Sequence, residues 1–286
     1  MSELSLRGVR YRYAGATAWA LDGLDLELEP GEVLGVTGAN DAGKTTLCLV
    51  GSGLAPGAIG GQLEGLVRVG GDDPRKLAPF RVAERCGILF QNAATQLSGT
   101  AVTVWEEVAF GPRNLGLDVA TIIERVGWAL ELAGVSDLAE RRPDRLSGGQ
   151  AQLVALASVL ALRPASLILD EPTSQLDPAG TILVGDALAR LGRETGTALL
   201  IVEHKTDLLA RISDRVAVVA AGRVAILGAA DKVLADPRLP SLGVDPPAAV
   251  RLGRLAKEAG VGAAFAKALA DTRGLADGRI AGPSSA

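Results

Sequence analysis

The chain is poor in aromatic residues, cysteine and histidine. Among its 286 residues, phenylalanine, tryptophan and tyrosine make up only 3%, and there are two cysteines and one histidine. A core must therefore be built from Ala, Val, Leu and Ile, which the 48% hydrophobic content supplies. Cys48 and Cys86 fall within apolar segments and read as reduced, buried thiols, not as a disulfide framework or a metal site. No basic run occurs and the formal net charge is −4, so the electrostatic footprint of a nucleic-acid binder is missing. The longest clean apolar run, Leu153 to Leu162, is about half of what a membrane span needs, and Arg163-Pro164 ends it. Met1 to Tyr13 alternates polar and apolar residues and carries Arg7, Arg10 and Arg12, a strand pattern rather than a secretory leader.

The length allows one large α/β domain, or one domain with a small appendage. Val33 to Thr37, Leu167 to Leu169 and Ala198 to Val202 are continuous apolar runs separated by helical patterns. Such runs predict a parallel sheet covered on both faces. Arg215 to Ala220 and Arg223 to Leu227 flank Ala221-Gly222 and predict a hairpin. Between Gln91 and Leu146 the pattern becomes helical. Val119, Ile122, Ile123, Val126 and Leu130 are expected on one face of a helix that Gly134 stops. Beyond about residue 229, Pro237, Pro240, Pro246 and Pro247 punctuate a linker. Ala248 to Ala270 then reads as one or two small helices, and Gly278 to Ala286 is expected to fray.

Gly38-Ala39-Asn40-Asp41-Ala42-Gly43-Lys44-Thr45 fits the phosphate-binding pattern G-x-x-x-x-G-K-[ST], between a buried strand and the start of a helix. Glycines let successive N–H groups turn toward the phosphates, and the helix N-terminus adds roughly half a positive charge. Lys44 is expected to reach the β- and γ-phosphates of ATP, and Thr45 to ligate Mg²⁺. Leu167 to Glu171 reads as a buried strand ending in two carboxylates. Asp170 suits the hydration shell of Mg²⁺, and Glu171 suits a general base that polarises water. Taken alone, this second motif would also fit an acidic strand end that turns at Pro172.

Leu146-Ser147-Gly148-Gly149-Gln150 then brings the family into view: from Leu4 to Leu227 the sequence resembles the ATP-binding-cassette ATPases. Ser147 is placed to cap a helix beginning near Gln150, which leaves glycine N–H groups for an anion. The resemblance implies that Ser147, Gly148, Gly149 and Gln150 reach the γ-phosphate of ATP held by a partner subunit. It implies an α/β fold, with a RecA-like P-loop NTPase core, an antiparallel β subdomain and a helical subdomain. Residues 1–228 would form that nucleotide-binding domain, and 229–286 a small helical extension that helps join two ATPase subunits. It further implies ATP contacts by Gly38, Asn40, Gly43, Lys44, Thr45 and Thr46, with Tyr13 stacking on adenine. The alternative for Tyr13 is a strand residue packed on its neighbours. Gln91 matches the glutamine that touches Mg²⁺ or its water, Asp177 lies in a turn that crosses the dimer, and the sole histidine, His204, matches the residue on the γ-phosphate. Asp41, Leu153 and Ala93-Ala94 depart from the family pattern. Asp41 tolerates a left-handed backbone but brings a negative charge to the phosphates.

Phe90-Gln91-Asn92, Gln96-Leu97, the stretch Val104 to Pro112 and Val202-Glu203-His204-Lys205 are similar to ATP-binding subunits of energy-coupling-factor and cobalt/nickel importers. The likeness implies a transport ATPase peripheral to the cytoplasmic face of the membrane. Its partners would be a second cassette (a copy or a paralogue), a transmembrane coupling protein and a membrane substrate-binding component, with no nucleic acid. The cargo would be a vitamin or a metal ion. An ATPase of an ordinary binding-protein-dependent importer and a soluble, non-transport cassette are the alternatives. Val104, Val108, Phe110 and Leu115 beside Glu106 and Glu107 would offer a docking surface for a basic coupling helix, or a solvated acidic face over a helical core.

Overall fold

The computed structural model describes residues 2–258. Strands β1 (Leu4–Arg12), β2 (Leu21–Leu28) and β3 (Val33–Thr37) lead into helix α1 (Lys44–Gly51). Then come β4 (Gln62–Val69), the short α2 (Pro79–Ala83) and β5 (Cys86–Leu89). Helices α3 (Val104–Asn114), α4 (Val119–Ala133) and α5 (Gly148–Leu160) intervene before β6 (Ser166–Asp170). The rest alternates: α6 (Pro178–Glu194), β7 (Ala198–Val202), α7 (Thr206–Ile212), β8 (Arg215–Ala220), β9 (Arg223–Ala229), α8 (Ala230–Val233) and α9 (Ala248–Glu258).

Two sheets form. β2, β1 and β4 pair antiparallel in that order, and β5-β6-β7-β3-β8-β9 make a second sheet that is parallel except for the final hairpin. The three apolar runs are its central strands, fully buried as their lack of alternation predicted. Their pleat divides the interior. Leu167 and Leu169 of β6 join a core with α3, α4, α5 and α6, while Ile168 joins the core under α1 and the three-stranded sheet. Cys48 and Cys86 are buried free thiols in that second core, and burial pushes the Cys86 thiol up to about 11.

Helix ends are marked by local chemistry. Ser147 accepts from Gln150 N and the Gln150 side chain returns to Ser147 N, a capping box that starts α5. Asp118 caps α4, and Gly134 closes it in a left-handed conformation. The apolar face of α4 is narrower than the sequence suggested. Ile122, Val126 and Leu130 are buried, but Val119 and Ile123 are 72% and 56% exposed. Three helical subdomain neighbours need only one narrow stripe, and the adjoining positions face outward. The family departure Leu153 is a core residue of α5.

Of the four apolar residues expected at a surface around Glu106 and Glu107, Phe110 is exposed and Leu115 half-buried. Val104 and Val108 are buried, and the two carboxylates serve the chain's own backbone and side chains. Glu106 closes a capping box with Thr103, and Glu107, 3% exposed, accepts from both the N–H and the hydroxyl of Ser98 at 2.7 Å. Beyond β9 the chain packs back, with Leu234, Leu239 and Val244 buried in the helical-side core. α9 begins at Ala248 as expected. The rest of the anticipated helical stretch to Ala270, and the fraying from Gly278, lie outside the described residues.

Glu107→Ala leaves two donors of Ser98 unserved and is expected to destabilise the fold by about 1–3 kcal/mol. Glu106→Ala loses half of a capping box and should cost about 1 kcal/mol. Urea unfolding of the two variants checks the order; equal midpoints would contradict it.

Candidate nucleotide site

Four parallel strands, β5, β6, β7 and β3, lie side by side, so the loops at their carboxyl ends share one edge of the sheet. That edge is where open α/β sheets bind ligands. The loop after β3 is the glycine-rich one, and α1 starts at Lys44 with Gly43 as its N-cap. A side chain is barred at two points. A Cβ on Gly38 would lie 2.2 Å from Val219 O, and one on Gly43, at φ 103°, would lie 2.6 Å from Ala20 O. Asp41 takes a left-handed φ of 60°, which its short polar side chain tolerates.

A cavity of about 440 Å³ opens over this loop, lined by Tyr13, Ala20, Asn40, Asp41, Gly43, Lys44, Thr45, Thr46 and Glu171. The Lys44 ammonium donates to the carbonyls of Gly38 and Ala39 at 3.1 and 2.7 Å. Burial lowers its pKa, while Glu171, Asp170 and Asp41 pull the other way. Tyr13 shares a hydrogen bond of 3.0 Å with the Thr46 hydroxyl, and its ring stands edge-on to Tyr11. The phenol thus has a partner in the loop, and the ring forms one wall of the cavity.

The carboxylates at the end of β6 have different surroundings. Asp170 is buried, with the Thr45 hydroxyl donating to it at 3.4 Å. Burial pushes the Asp170 carboxyl above its ordinary value, and the neighbouring Glu171 charge adds to the effect. Glu171 sits at φ 48°, an uncommon conformation for its type. Its N–H donates to Val202 O at 2.9 Å. Its carboxylate is clasped from two sides. Gln91 Nε2 donates to one oxygen at 3.1 Å, and His204 Nε2 lies 3.0 Å from the other. Since a carboxylate only accepts, that imidazole nitrogen carries the proton.

The structure therefore brings Tyr13, Asn40, Gly43, Lys44, Thr45, Thr46, Asp170 and Glu171 into one neighbourhood with Gln91 and His204. Ser147, Gly148, Gly149, Gln150 and Asp177 do not line the cavity. They lie where α5 and α6 start side by side, with a Cβ on Gly149 only 3.2 Å from Gly180 Cα. Ser147 and Gly148 are exposed, and Asp177 caps α6 by accepting from Gly180 N at 2.7 Å. Sequence reasoning missed Ala20 as a wall of the cavity, and two glutamines that support Gln91. Gln96 accepts from Phe90 N and donates to Ile88 O, and Gln152 donates to Phe90 O. Only the position of Gln96 just downstream of Gln91 hinted at this.

Hard oxygen donors at Asp170 and Thr45 suit a small divalent cation, and a lysine within a glycine-rich loop at a helix start suits a polyphosphate. Comparison with known proteins agrees. Residues 21–174 match the ABC transporter family. The energy-coupling factor transporter ATP-binding protein EcfA1 of Symbiobacterium thermophilum is 42% identical over 264 residues, with 89% of each chain covered. EcfA of Methanosphaera stadtmanae is 38% identical over 252 residues, covering 84% of this chain and 87% of that one. Among solved structures, cbiO1 from Clostridium perfringens, described as part of the ABC transporter complex cbiONQ, superposes with a TM-score of 0.74 at 31% identity. That match covers 85% of this chain and 97% of the other. The dimeric cassette MJ0796, in a post-hydrolysis state with ADP and Pi, shares the fold at a TM-score of 0.67 and 24% identity, over 79% of this chain and 98% of that one. The chain belongs to the ATP-binding-cassette ATPases of ABC transporters, as an ATP-binding and ATP-hydrolysing subunit, and energy-coupling-factor ATPases are among its relatives.

Proposed function

We propose that this ATPase energises uptake of a vitamin or a metal ion, as the cassette of an energy-coupling-factor importer on the cytoplasmic face of the membrane. The observation that carries the reading is the 42% identity to EcfA1 along 89% of both chains. The likeness to cbiO1 supports it. Among the described residues no helix is long and apolar enough to cross a membrane, so translocation falls to membrane partners: a coupling protein and a substrate-binding component.

Within the site, the adenine stacks on Tyr13, an interaction worth about 1–3 kcal/mol by analogy with base stacking on aromatic side chains. N–H groups of the loop from Gly38 to Thr46 and the start of α1 hold the phosphates, with Asn40 at the rim. A γ-phosphate oxygen competes with the Gly38 and Ala39 carbonyls for the Lys44 ammonium. Thr45 and Asp170, with Gln91 beside them, hold Mg²⁺, which neutralises developing phosphate charge when bound. Glu171 takes a proton from the attacking water. Gln91 and His204 orient its carboxylate, and His204 then contacts the γ-phosphate. Ser147, Gly148, Gly149 and Gln150 at the start of α5, of which Ser147 and Gly148 are exposed, complete the site of a second cassette, with Asp177 crossing at the same interface. Residues 229–286 strengthen that pairing.

Three measurements check this reading. Glu171→Gln is expected to keep ATP affinity and to lower turnover by about 10²–10⁴-fold, the usual worth of a positioned general base; near-normal steady-state hydrolysis would remove Glu171 from that role. Asp41 puts a negative charge on the cavity wall at a φ that glycine accepts readily. Asp41→Gly should therefore tighten nucleotide binding by about 1 kcal/mol, the Coulomb term of one exposed charge, and calorimetry showing unchanged affinity would contradict this. Finally, a tagged chain purified from detergent-solubilised membranes of its host should bring down a membrane coupling protein and a substrate-binding membrane protein. Recovery from the soluble fraction alone would overturn the transport reading while leaving the ATPase intact.

A further inference from the structure

The residues on either side of His204 hold one residue between them. Glu203 is 1% exposed, a carboxylate in the interior. One of its oxygens accepts from the Thr173 hydroxyl at 2.5 Å, and the other from the backbone N–H groups of His204 and Lys205 at 2.8 and 3.1 Å. Lys205 Nζ donates to the Thr173 carbonyl and to the Thr181 hydroxyl, each at 2.8 Å. Thr173, itself fully buried, is thus gripped by its side chain and by its carbonyl, two positions beyond Glu171. Lys205 also bridges the turn that ends at Asp177, because Thr173 and Thr181 stand on its two sides.

Plain packing does not ask for this arrangement. A buried charge carries a desolvation cost that an apolar group of the same size avoids. None of Glu203, Lys205 and Thr173 lines the nucleotide cavity. What the network does is join the loop after β6 to the loop after β7, at the place where Glu171 and His204 meet. Glu171 needs such a frame, since its φ of 48° persists only where the surroundings over-determine it. The backbone supplies one stitch, Glu171 N to Val202 O; Glu203 and Lys205 supply the others.

We propose that Glu203 and Lys205 are positioning residues, a clamp on Thr173 that sets the distance between the Glu171 carboxylate and the His204 imidazole. The proposal rests on the reading that those two groups carry hydrolysis. The clamp is loaded from both directions. A displacement of the 174–177 turn reaches the His204 backbone through Thr173 and Glu203, and reaches Lys205 through Thr181.

The test uses the full chain with Thr173→Val, Thr173→Ser, Lys205→Met and the Thr173→Val/Lys205→Met double variant. ATP affinity is measured by titration, and turnover is counted per titrated nucleotide site so that misfolded molecules do not contribute. With a clamp, Kd stays unchanged while turnover falls about 10–100-fold in Thr173→Val and Lys205→Met, the usual effect of a small misplacement of reacting groups. Thr173→Ser, which keeps the hydroxyl, retains wild-type turnover, and the double variant falls no further than the worse single one, as for members of one hydrogen-bond network. Wild-type turnover per site in both single variants would overturn the proposal. So would losses confined to the number of nucleotide sites, which a merely structural role predicts. Glu171→Gln run alongside separates the two claims: normal turnover there defeats the reading of Glu171, whereas an inactive Glu171→Gln chain with fully active Thr173→Val and Lys205→Met chains defeats the clamp alone.

Discussion

Everything at the site depends on the register of four parallel strands. Leu89 pairs with Leu169, Asp170 with Val202, and Val36 with Val202, so the carboxyl ends of β5, β6, β7 and β3 finish level. Each strand then releases its functional residue almost at once: Gln91 two positions after β5, Glu171 one after β6, His204 two after β7, and the glycine-rich loop directly after β3. A slip of one residue in any pairing would exchange a strand's side chains between the two cores. It would also carry a polar group away from the edge where the other three converge. Burial of Ile168, Leu200, Val36 and their neighbours on both faces therefore holds the geometry of the site as well as the fold.

The interior carboxylates show how charge is managed around that edge. Glu107 and Glu203 are deeply buried, and each has its oxygens served by hydroxyl and N–H donors from nearby loops. They behave as structural acceptors, one bracing Ser98 after the Gln91 loop and one bracing Thr173 after Glu171. Asp170 differs. Its donors are weak ones, the Thr45 hydroxyl at 3.4 Å and the Cys48 thiol, and burial lifts its pKa. A carboxylate kept dry and poorly served, next to a second one, is suited to a cation. Glu171 takes a middle course, oriented by Gln91 and His204 while still reaching the cavity.

Much of this was legible in the sequence because the chemistry is local. The P-loop at Gly38 to Thr45, the strand that ends at Asp170 and Glu171, and the Ser147–Gln150 cap all depend on residues within one turn of each other. The apolar runs from Val33, Leu167 and Ala198 could only be central strands. What failed to show is what tertiary partners decide. Periodicity marked α4 as apolar but could not say that Val119 and Ile123 lie outside a narrow buried stripe. Glu106 and Glu107 look alike in sequence, yet one caps its helix and the other meets Ser98. For the first, the Thr103-x-x-Glu106 spacing is a local capping-box signature that sequence reasoning missed. Nothing local announced the second, or the grip of Glu203 on Thr173 thirty residues away.

The central claim is that one chain supplies half of an ATP site, poised by the Gln91–Glu171–His204 clasp and completed by Ser147–Gln150 of another copy or paralogue. A structure of the Glu171→Gln chain with ATP and magnesium tests it most directly. The account predicts a closed pair of cassettes, with the γ-phosphate between Lys44, residue 171 and His204 of one subunit and Ser147 to Gln150 of the other, and a water beside residue 171. Bound nucleotide with Ser147 to Gln150 left in solvent, or with residue 171 turned away from the γ-phosphate, would contradict it.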